Sequence, residues 1–592
     1  MDEKCFETDN GILIKYSGSD EEVRIPDGIT AIEEFAFIGC DSIRKVTVPE
    51  GVKSLGQQCF RNCACLEEVS LHEGLEIIGR FAFCGCEMLR RINIPSSVCE
   101  IGNSAFRGCD MMEDIELPAG LTRLGESAFS DCRSLRSIAV PAGIGVIRKR
   151  SFSDCGGVTQ LTVPEGITEI DDYAFEFCGS VKSLVLPQSL KKIGRYAFQN
   201  CASLAEISVP EGVGDIGSCA FYKTPFADSA PDGYLVVGGG VLAGCTVTGE
   251  EAGVPEGVRV IAENAFAGLD GLKRVRLPES VERICGLAFE KCTALEEISL
   301  PAGLKDIGSK AFVDCVSLKT LDLPDGLEHI GSDAFYGTAM LGADGGEVVI
   351  YNGKYLIRCS VSAVSYAVPD GVTVIADRAF SGSAGLERVS FPPSLGCIGG
   401  GAFKWVTGLR DAVIPETVRV VGEEAFVSSS ELHAVLRPET TETGAAAFAR
   451  GARLTLLCGE RSFDVTLTED IPGASPLMSF AAHPDAQSFS LIVETEYYVP
   501  AAACFADCIP ECLERLQANA ADALIFAVEL GDSALTDRLI ALGVGDAAAL
   551  DAAIAFAIDS GRLEQQVVLM RRKNELLSGR SAASVVDDKL SL

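Results

Sequence analysis

The sequence predicts a β-rich repeat solenoid over residues 1–457, followed by a connector and a small all-α region. Three observations carry this prediction. Prolines recur at positions 26, 49, 95, 118, 141, 164, 187 and 210, always 23 residues apart or a multiple of it, with His72 in the vacant slot. The phase resumes at Pro255, Pro278, Pro301 and Pro324, and again at Pro369, Pro392, Pro415 and Pro438, so the repeats form blocks of nine, four and four. Beyond Pro510 the apolar period changes to the 3.6 of amphipathic helices.

Residues 1–25 read as an amino-terminal hairpin cap and 26–225 as the first repeat block. With the proline as column 1, a representative repeat is PAGLTRLGESAFSDCRSLRSIAV, residues 118–140. Columns 18, 21 and 23 give the L-x-x-I-x-L of a short strand, closed by a proline that donates no ladder hydrogen bond. Columns 4 and 7 mark a second short extended segment, and the Ala-Phe of columns 11 and 12 opens a tight helical turn. Hairpin insertions are predicted at 226–254 and 341–368, from YLVVGGGVLAG and EVVIYNGKYLI, the Asn-Gly of the latter being a strong turn signal. Residues 10–26, 239–255 and 353–369 align without a gap, so one module, hairpin then rungs, is used three times. The second and third blocks then occupy 255–340 and 369–457.

These repeats, with their I-G-x-x-A-F-x-x-C-x-x-L-x-x-I-x-L-P unit, resemble the bacterial BspA-like class of leucine-rich repeats. The resemblance implies a curved, right-handed solenoid that displays a surface to other macromolecules and carries no catalysis. Members of that class are often exported and adhesive, which supplies an alternative reading as a surface adhesin for host protein or glycan.

Ten cysteines fill column 15, from Cys40 through Cys201 in eight consecutive repeats, then Cys292 and Cys315. A small, weak donor facing inward at such a corner satisfies turn carbonyls. The crowded stretch from Cys59 to Cys86 is therefore mostly solenoid columns read along one line. Only Cys65 and Cys84 are off-pattern, two thiols where a structural zinc needs four ligands. Charges in columns 19 and 20 alternate by rung: Arg44 and Lys45, Glu67 and Glu68, Arg90 and Arg91, Glu113 and Asp114, then Arg136. Cross-rung pairing is expected, because parallel neighbours sit only about 4.8 Å apart.

The third block departs from the consensus, with Ser383, Val406 and Ser429 in column 15. Such departures mark a terminal cap or a binding surface. If this end binds, Trp405, Tyr351 and Tyr355 are the aromatic anchors. Residues 458–509 read as a connector and 510–592 as helical. In the latter, ALIFAVELGDSALTDRLIALG and AAIAFAIDSGRLEQQVVLM align with Gly531 and Gly561 30 residues apart, each a helix, a Gly turn and a second helix. AFAIDSGRLEQQVVLM is similar to the helix-turn-helix core of ankyrin repeats, which implies a stacked helical region with a protein-docking face. Cys504, Cys508 and Cys512 would share one side of a continuous helix, as the start of a metal site or a buried small-residue stripe, but Pro510 argues against that continuity.

With 84 acidic against 50 basic residues the net charge is −34, which repels phosphate backbones and anionic lipids and so excludes nucleic acid as a partner. The amino terminus has no signal-peptide pattern and no apolar run is long enough to insert in a membrane; with 24 cysteines expected to be reduced, the predicted compartment is the cytoplasm. The four histidines form no metal-ligand spacing, and no nucleophile or phosphate-loop motif occurs, so neither catalysis nor a cofactor is expected. The predicted function is a non-catalytic scaffold for a protein partner.

Overall fold

In a computed structural model describing residues 5–341, 347–437, 441–458, 461–467, 498–506, 509–530 and 532–577, the repeats stack rung upon rung. The chain divides into two compact units, Met1–Leu327 with Asp333–Ala343 and Glu328–Ser332 with Asp344–Leu592.

In the first unit most rungs pair in parallel on two sides, with breaks that include 114–116 and 320–322 in one ladder and the step between Arg123–Leu124 and Val146–Ile147 in the other. Columns 20–22 pair in register, as Lys45–Thr47 does with Glu68–Ser70, burying the middle valines and turning the flanking residues outward. Columns 6 and 7 form the other ladder, as in Ala31–Ile32 against Ser54–Leu55. The tight turn between them is a set of i→i−3 hydrogen bonds, such as Ile38 N–H to Phe35 O at 3.1 Å and Cys40 N–H to Phe37 O at 3.2 Å. It is also tied to the next rung: the N–H groups of Phe35, Phe37 and Gly39 donate to the carbonyls of Gln57, Cys59 and Arg61 at 2.7 to 3.1 Å. Aiming both sets along the stack puts column 10 in the left-handed region with ordinary side chains, including Phe35 (φ 61°), Gln58 (59°), Phe81 (57°) and Tyr173 (60°).

The phenylalanine of column 12 fills the interior. Nine rings, Phe37, 60, 83, 106, 129, 152, 175, 198 and 221, stack with successive centroids 4.7 to 5.8 Å apart and planes within 15°. A single helical turn, α1 (Pro225–Asp228), closes this series: Thr224 caps it by accepting from Ala227 N–H at 3.1 Å, and Phe226 meets Phe221 edge-on. The column-6 ladder then ends and a new sheet starts at the hairpin Tyr234–Val237/Val241–Cys245, whose second strand supplies the first rung strand of the next block. Phe6–Asp9/Ile12–Tyr16 does the same for the first block.

The charge alternation pairs across rungs. Arg44 meets Glu67 at 2.6 Å, Lys45 meets Glu68 at 3.0 Å, and Arg136 meets Glu113 at 2.6 Å. A second ladder follows the opposite sheet in columns 5 and 6: Lys53–Glu76 at 2.9 Å, Arg123–Glu100 at 3.1 Å and Lys192–Glu169 at 2.7 Å. Lys45→Glu would set three acids on adjacent strands, between Glu22 and Glu68. We expect a loss of about 1 kcal/mol by urea titration, shrinking in high salt as these exposed charges are screened.

In the second unit the hairpin Val348–Tyr351/Tyr355–Cys359 opens the third block, and Phe380, 403, 426 and 448 form a ring stack of its own at 4.5 to 5.5 Å. Part of the expected connector is structured: Arg461–Thr466 pairs antiparallel with Arg453–Cys458 and ends the ladder. Helices follow: α2 (Tyr498–Phe505), α3 (Pro510–Ala518), α4 (Ala520–Leu530), α5 (Ser533–Ala541), α6 (Ala547–Asp559) and α7 (Leu563–Leu577). One buried apolar cluster runs from Leu356 to Leu569, so rungs and helices share a core. Arg461 Nη1 donates to Cys504 O at 2.6 Å and Arg538 Nε to Ala503 O at 3.0 Å, placing two cations on the carbonyl end of α2. Asp532 and Asp546 cap α5 and α6, each accepting a backbone N–H at 2.9 Å.

Candidate interaction surface

The cysteine column is a structural device. The thiol of Cys63 donates to Phe37 O at 3.1 Å, and Cys86, 109, 132, 155, 178, 201, 292 and 315 repeat the bond to the phenylalanine carbonyl 26 residues earlier at 3.1 to 3.4 Å. In the third block Ser383 and Ser429 keep a buried donor there, their hydroxyls reaching Cys359 O at 2.8 Å and Val406 O at 2.9 Å. Burial pushes the Cys201 thiol up to about 12 and the Cys132 and Cys155 thiols well above the free value. In native protein iodoacetamide is expected to label exposed Cys99 and to reach the buried column thiols, Cys63 through Cys201 with Cys292 and Cys315, only after unfolding, which mass spectrometry reads directly. A thiol held protonated by folding stabilises fully below its unfolded value near 9, and loses that contribution as pH rises toward the folded value. The melting temperature is therefore expected to fall between pH 9 and 11, less steeply in Cys132→Ala.

Among the described residues no group of three His, Cys, Asp or Glu side chains could hold a metal. Cys65 and Cys84 are half-buried in columns 17 and 13. Cys504 and Cys512 lie on separate helices, the break falling at Pro510 as the sequence suggests. α2 stops at Phe505, Ile509 is extended, and Pro510 starts a separate helix; Cys508 lies outside the described residues. Cys504 donates to Ser462 O, and Cys512 is buried in the core.

The three aromatic candidates separate. Tyr355 is fully buried, because its hairpin strand pairs with Val374–Ile375 as the first rung of the block, so it offers no surface to a partner. Tyr351 lies opposite it, half-buried. Trp405 is 56% exposed. It stands in column 14, which is left-handed in the first unit with glycine at 39, 85 and 108 and with ordinary side chains at Asn62, Asp131, Phe177 and Lys223, and it holds φ 69° itself. The neighbouring rungs carry Gly382 and Ser428 in that column, the latter accepting the Trp405 N–H at 3.0 Å, so little side chain stands beside the indole. Arg378 and Lys404 lie 5.8 and 6.0 Å from the ring centroid, and Lys404 also pairs with Glu424.

The first unit carries further aromatics on its own turns, in column 10. Phe81 lies under Arg80 at 4.7 Å, and Tyr173, with Arg150 over it at 4.5 Å, stacks on Tyr196 at 5.0 Å. Sequence reading missed this set, since no residue type marks column 10; a count of aromatics by column would have found it. Also unforeseen is a groove of about 640 Å³ on the strand face of the third block, walled by Tyr366, Phe391, Val413 and Pro415 with Arg388 and Asp411 at its polar side.

The description "BspA type Leucine rich repeat region (6 copies)" matches residues 15–136, 99–227, 241–344 and 352–461. The chain belongs to this BspA-type leucine-rich repeat family. Similar solved structures include a leucine-rich repeat protein from Bacteroides ovatus, at 21% identity over 76% of this chain and 94% of the other, with TM-score 0.31. A leucine rich cell surface protein from Faecalibacterium prausnitzii is 23% identical over 67% of this chain and 89% of its own, with TM-score 0.30. A T. pallidum leucine-rich repeat protein is 30% identical over 31% of this chain and 90% of its own, with TM-score 0.30. No curated protein matches. Among the described residues of this BspA-type chain, no helix is long and apolar enough to cross a membrane.

Proposed function

We propose that the protein is a non-catalytic interaction scaffold, cytoplasmic, whose third block and helical region dock a protein partner. The observation that carries this reading is Trp405. An exposed indole in a left-handed column costs about 1–2 kcal/mol that glycine would avoid, while offering a rigid, cation-flanked aromatic of the kind that anchors interfaces. The apolar groove of the same block adds a second contact region. Affinity capture from the source cells, comparing wild type with Trp405→Ala, tests the reading; a partner retained equally by both baits removes Trp405 from the interface.

A second reading, as a surface adhesin, is favoured by the cell surface protein of F. prausnitzii among the similar structures. Fractionation of the source cells separates the two, since protein confined to the outside excludes a cytoplasmic scaffold.

A further inference from the structure

The two helical pairs at the end of the described chain are copies of one unit, yet they bury different surfaces. Ala523-Leu-Ile-Phe-Ala-Val-Glu529 in α4 matches Ala553-Ile-Ala-Phe-Ala-Ile-Asp559 in α6, 30 residues later. α6 packs on α4 and α7 on α5, with Gln565 Nε2 donating to Ser533 Oγ at 3.1 Å and Arg562 Nη2 to Glu529 O at 3.0 Å. In this stack Val528 is fully buried, whereas its equivalent Ile558 is 52% exposed. At Ile558 the last pair thus exposes a position that the preceding pair buries, whereas Asp537, the equivalent of Val567, is already exposed on α5.

A terminal repeat that ends in solvent needs a polar outer face. Here the substitution runs the other way. Ser533 and Asp537 of α5 become Leu563 and Val567 of α7, and with Met570 these make an i, i+4, i+7 stripe that is 73%, 58% and 41% exposed. Such a stripe is an exposed apolar patch of the kind that marks an interaction site, in place of the polar face a terminal repeat would carry.

The charges beside the stripe identify what covers it. Glu564 and Arg571 are both exposed, seven residues apart, and therefore lie about 20° from each other on one edge of α7. Their midpoint falls between Val567 and Val568, at the middle of the stripe. A two-fold axis through that point brings a second α7 antiparallel to the first and sets each Glu564 opposite Arg571 of the other copy. The edge is self-complementary, as an isologous contact requires.

We propose that the open end of the helical stack, Ile558, Leu563, Val567 and Met570, is a homodimer interface in which α7 packs antiparallel on α7 of a second copy of this chain. The proposal is independent of the Trp405 reading. It is tested with the full-length protein by light scattering after gel filtration at tens of micromolar. Wild type is expected at twice the 62.4 kDa chain mass. Val567→Glu is expected at the monomer mass with an unchanged far-ultraviolet spectrum. Glu564→Arg and Arg571→Glu each place like charges across the axis, and each alone is expected to weaken the dimer about tenfold. Mixed one to one they become complementary, and the mixture, like the double variant, returns to the dimer mass. A monomeric wild type, or single variants that stay weak when mixed, overturns the proposal. So does a monomer that dimerises only when cut after Leu577, since the chain's own residues 578–592 would then be the cover.

Discussion

Replacing Phe129 with alanine is expected to destabilise the first unit by about 3–5 kcal/mol, read as a shift of the urea midpoint in circular dichroism. Phe129 stands at the middle of the nine-ring series, 5.0 Å from Phe106 and 5.7 Å from Phe152, and is fully buried. Its loss removes a large apolar side chain and opens a void between two rungs that are also bonded to it through backbone. The Phe129 N–H donates to Ser151 O, and its carbonyl accepts from the Cys155 thiol at 3.1 Å. Collapse of that void would break both sets of bonds, so little relaxation is available to lower the cost. In a stacked array stability is a sum over rungs and their interfaces, so a defect at the centre divides the unit into two weaker stacks. A broadened or two-step transition is expected for Phe129→Ala and a single smaller shift for Phe37→Ala, whose outer neighbour is Tyr16 of the hairpin rung. Equal effects at both positions would show that the rungs do not couple along the stack.

That interior was legible because its requirements are compositional. A column that must be apolar, small or a weak donor admits few residue types, so the period, the strands and the inward cysteines could be read off one line of text. The left-handed columns were not legible for the opposite reason. Backbone hydrogen bonds to the next rung fix their geometry, and since the side chain points to solvent, Phe35, Gln58, Tyr173 and Lys310 all occur in column 10 without a glycine to announce it. Tyr355 was misplaced because its hairpin reads as an insertion, whereas its second strand is the first rung of the block. The break between α2 and α3, which separates Cys504 from Cys512, was legible in Pro510. The continuous core of the third block and the helices depends on apolar residues more than a hundred positions apart, which no local period reports.

Trp405→Gly is expected to raise stability and weaken partner binding, two effects of opposite sign from one substitution. Glycine adopts φ 69° without the steric cost borne by an indole-bearing residue, and it stands in the same column at Gly39, Gly85 and Gly108, although Asn62, Asp131 and Phe177 bear that cost there too. The cation contacts from Arg378 and Lys404 are lost, but both side chains stay solvated and Lys404 keeps Glu424, so the net gain is about 0.5–1 kcal/mol by urea titration of the full chain. Binding moves the other way. Removal of a central tryptophan anchor costs about 2 kcal/mol or more, some thirtyfold in Kd, measured by titration calorimetry with the captured partner. Trp405→Ala supplies the control, because alanine leaves the left-handed strain largely in place while deleting the ring. If both variants lose binding and only the glycine variant gains stability, the strain is retained for the contact the indole makes. If Trp405→Gly lowers stability instead, the indole with its two cations is a local packing element, and the partner surface has to be sought in the groove beside Tyr366 and Phe391.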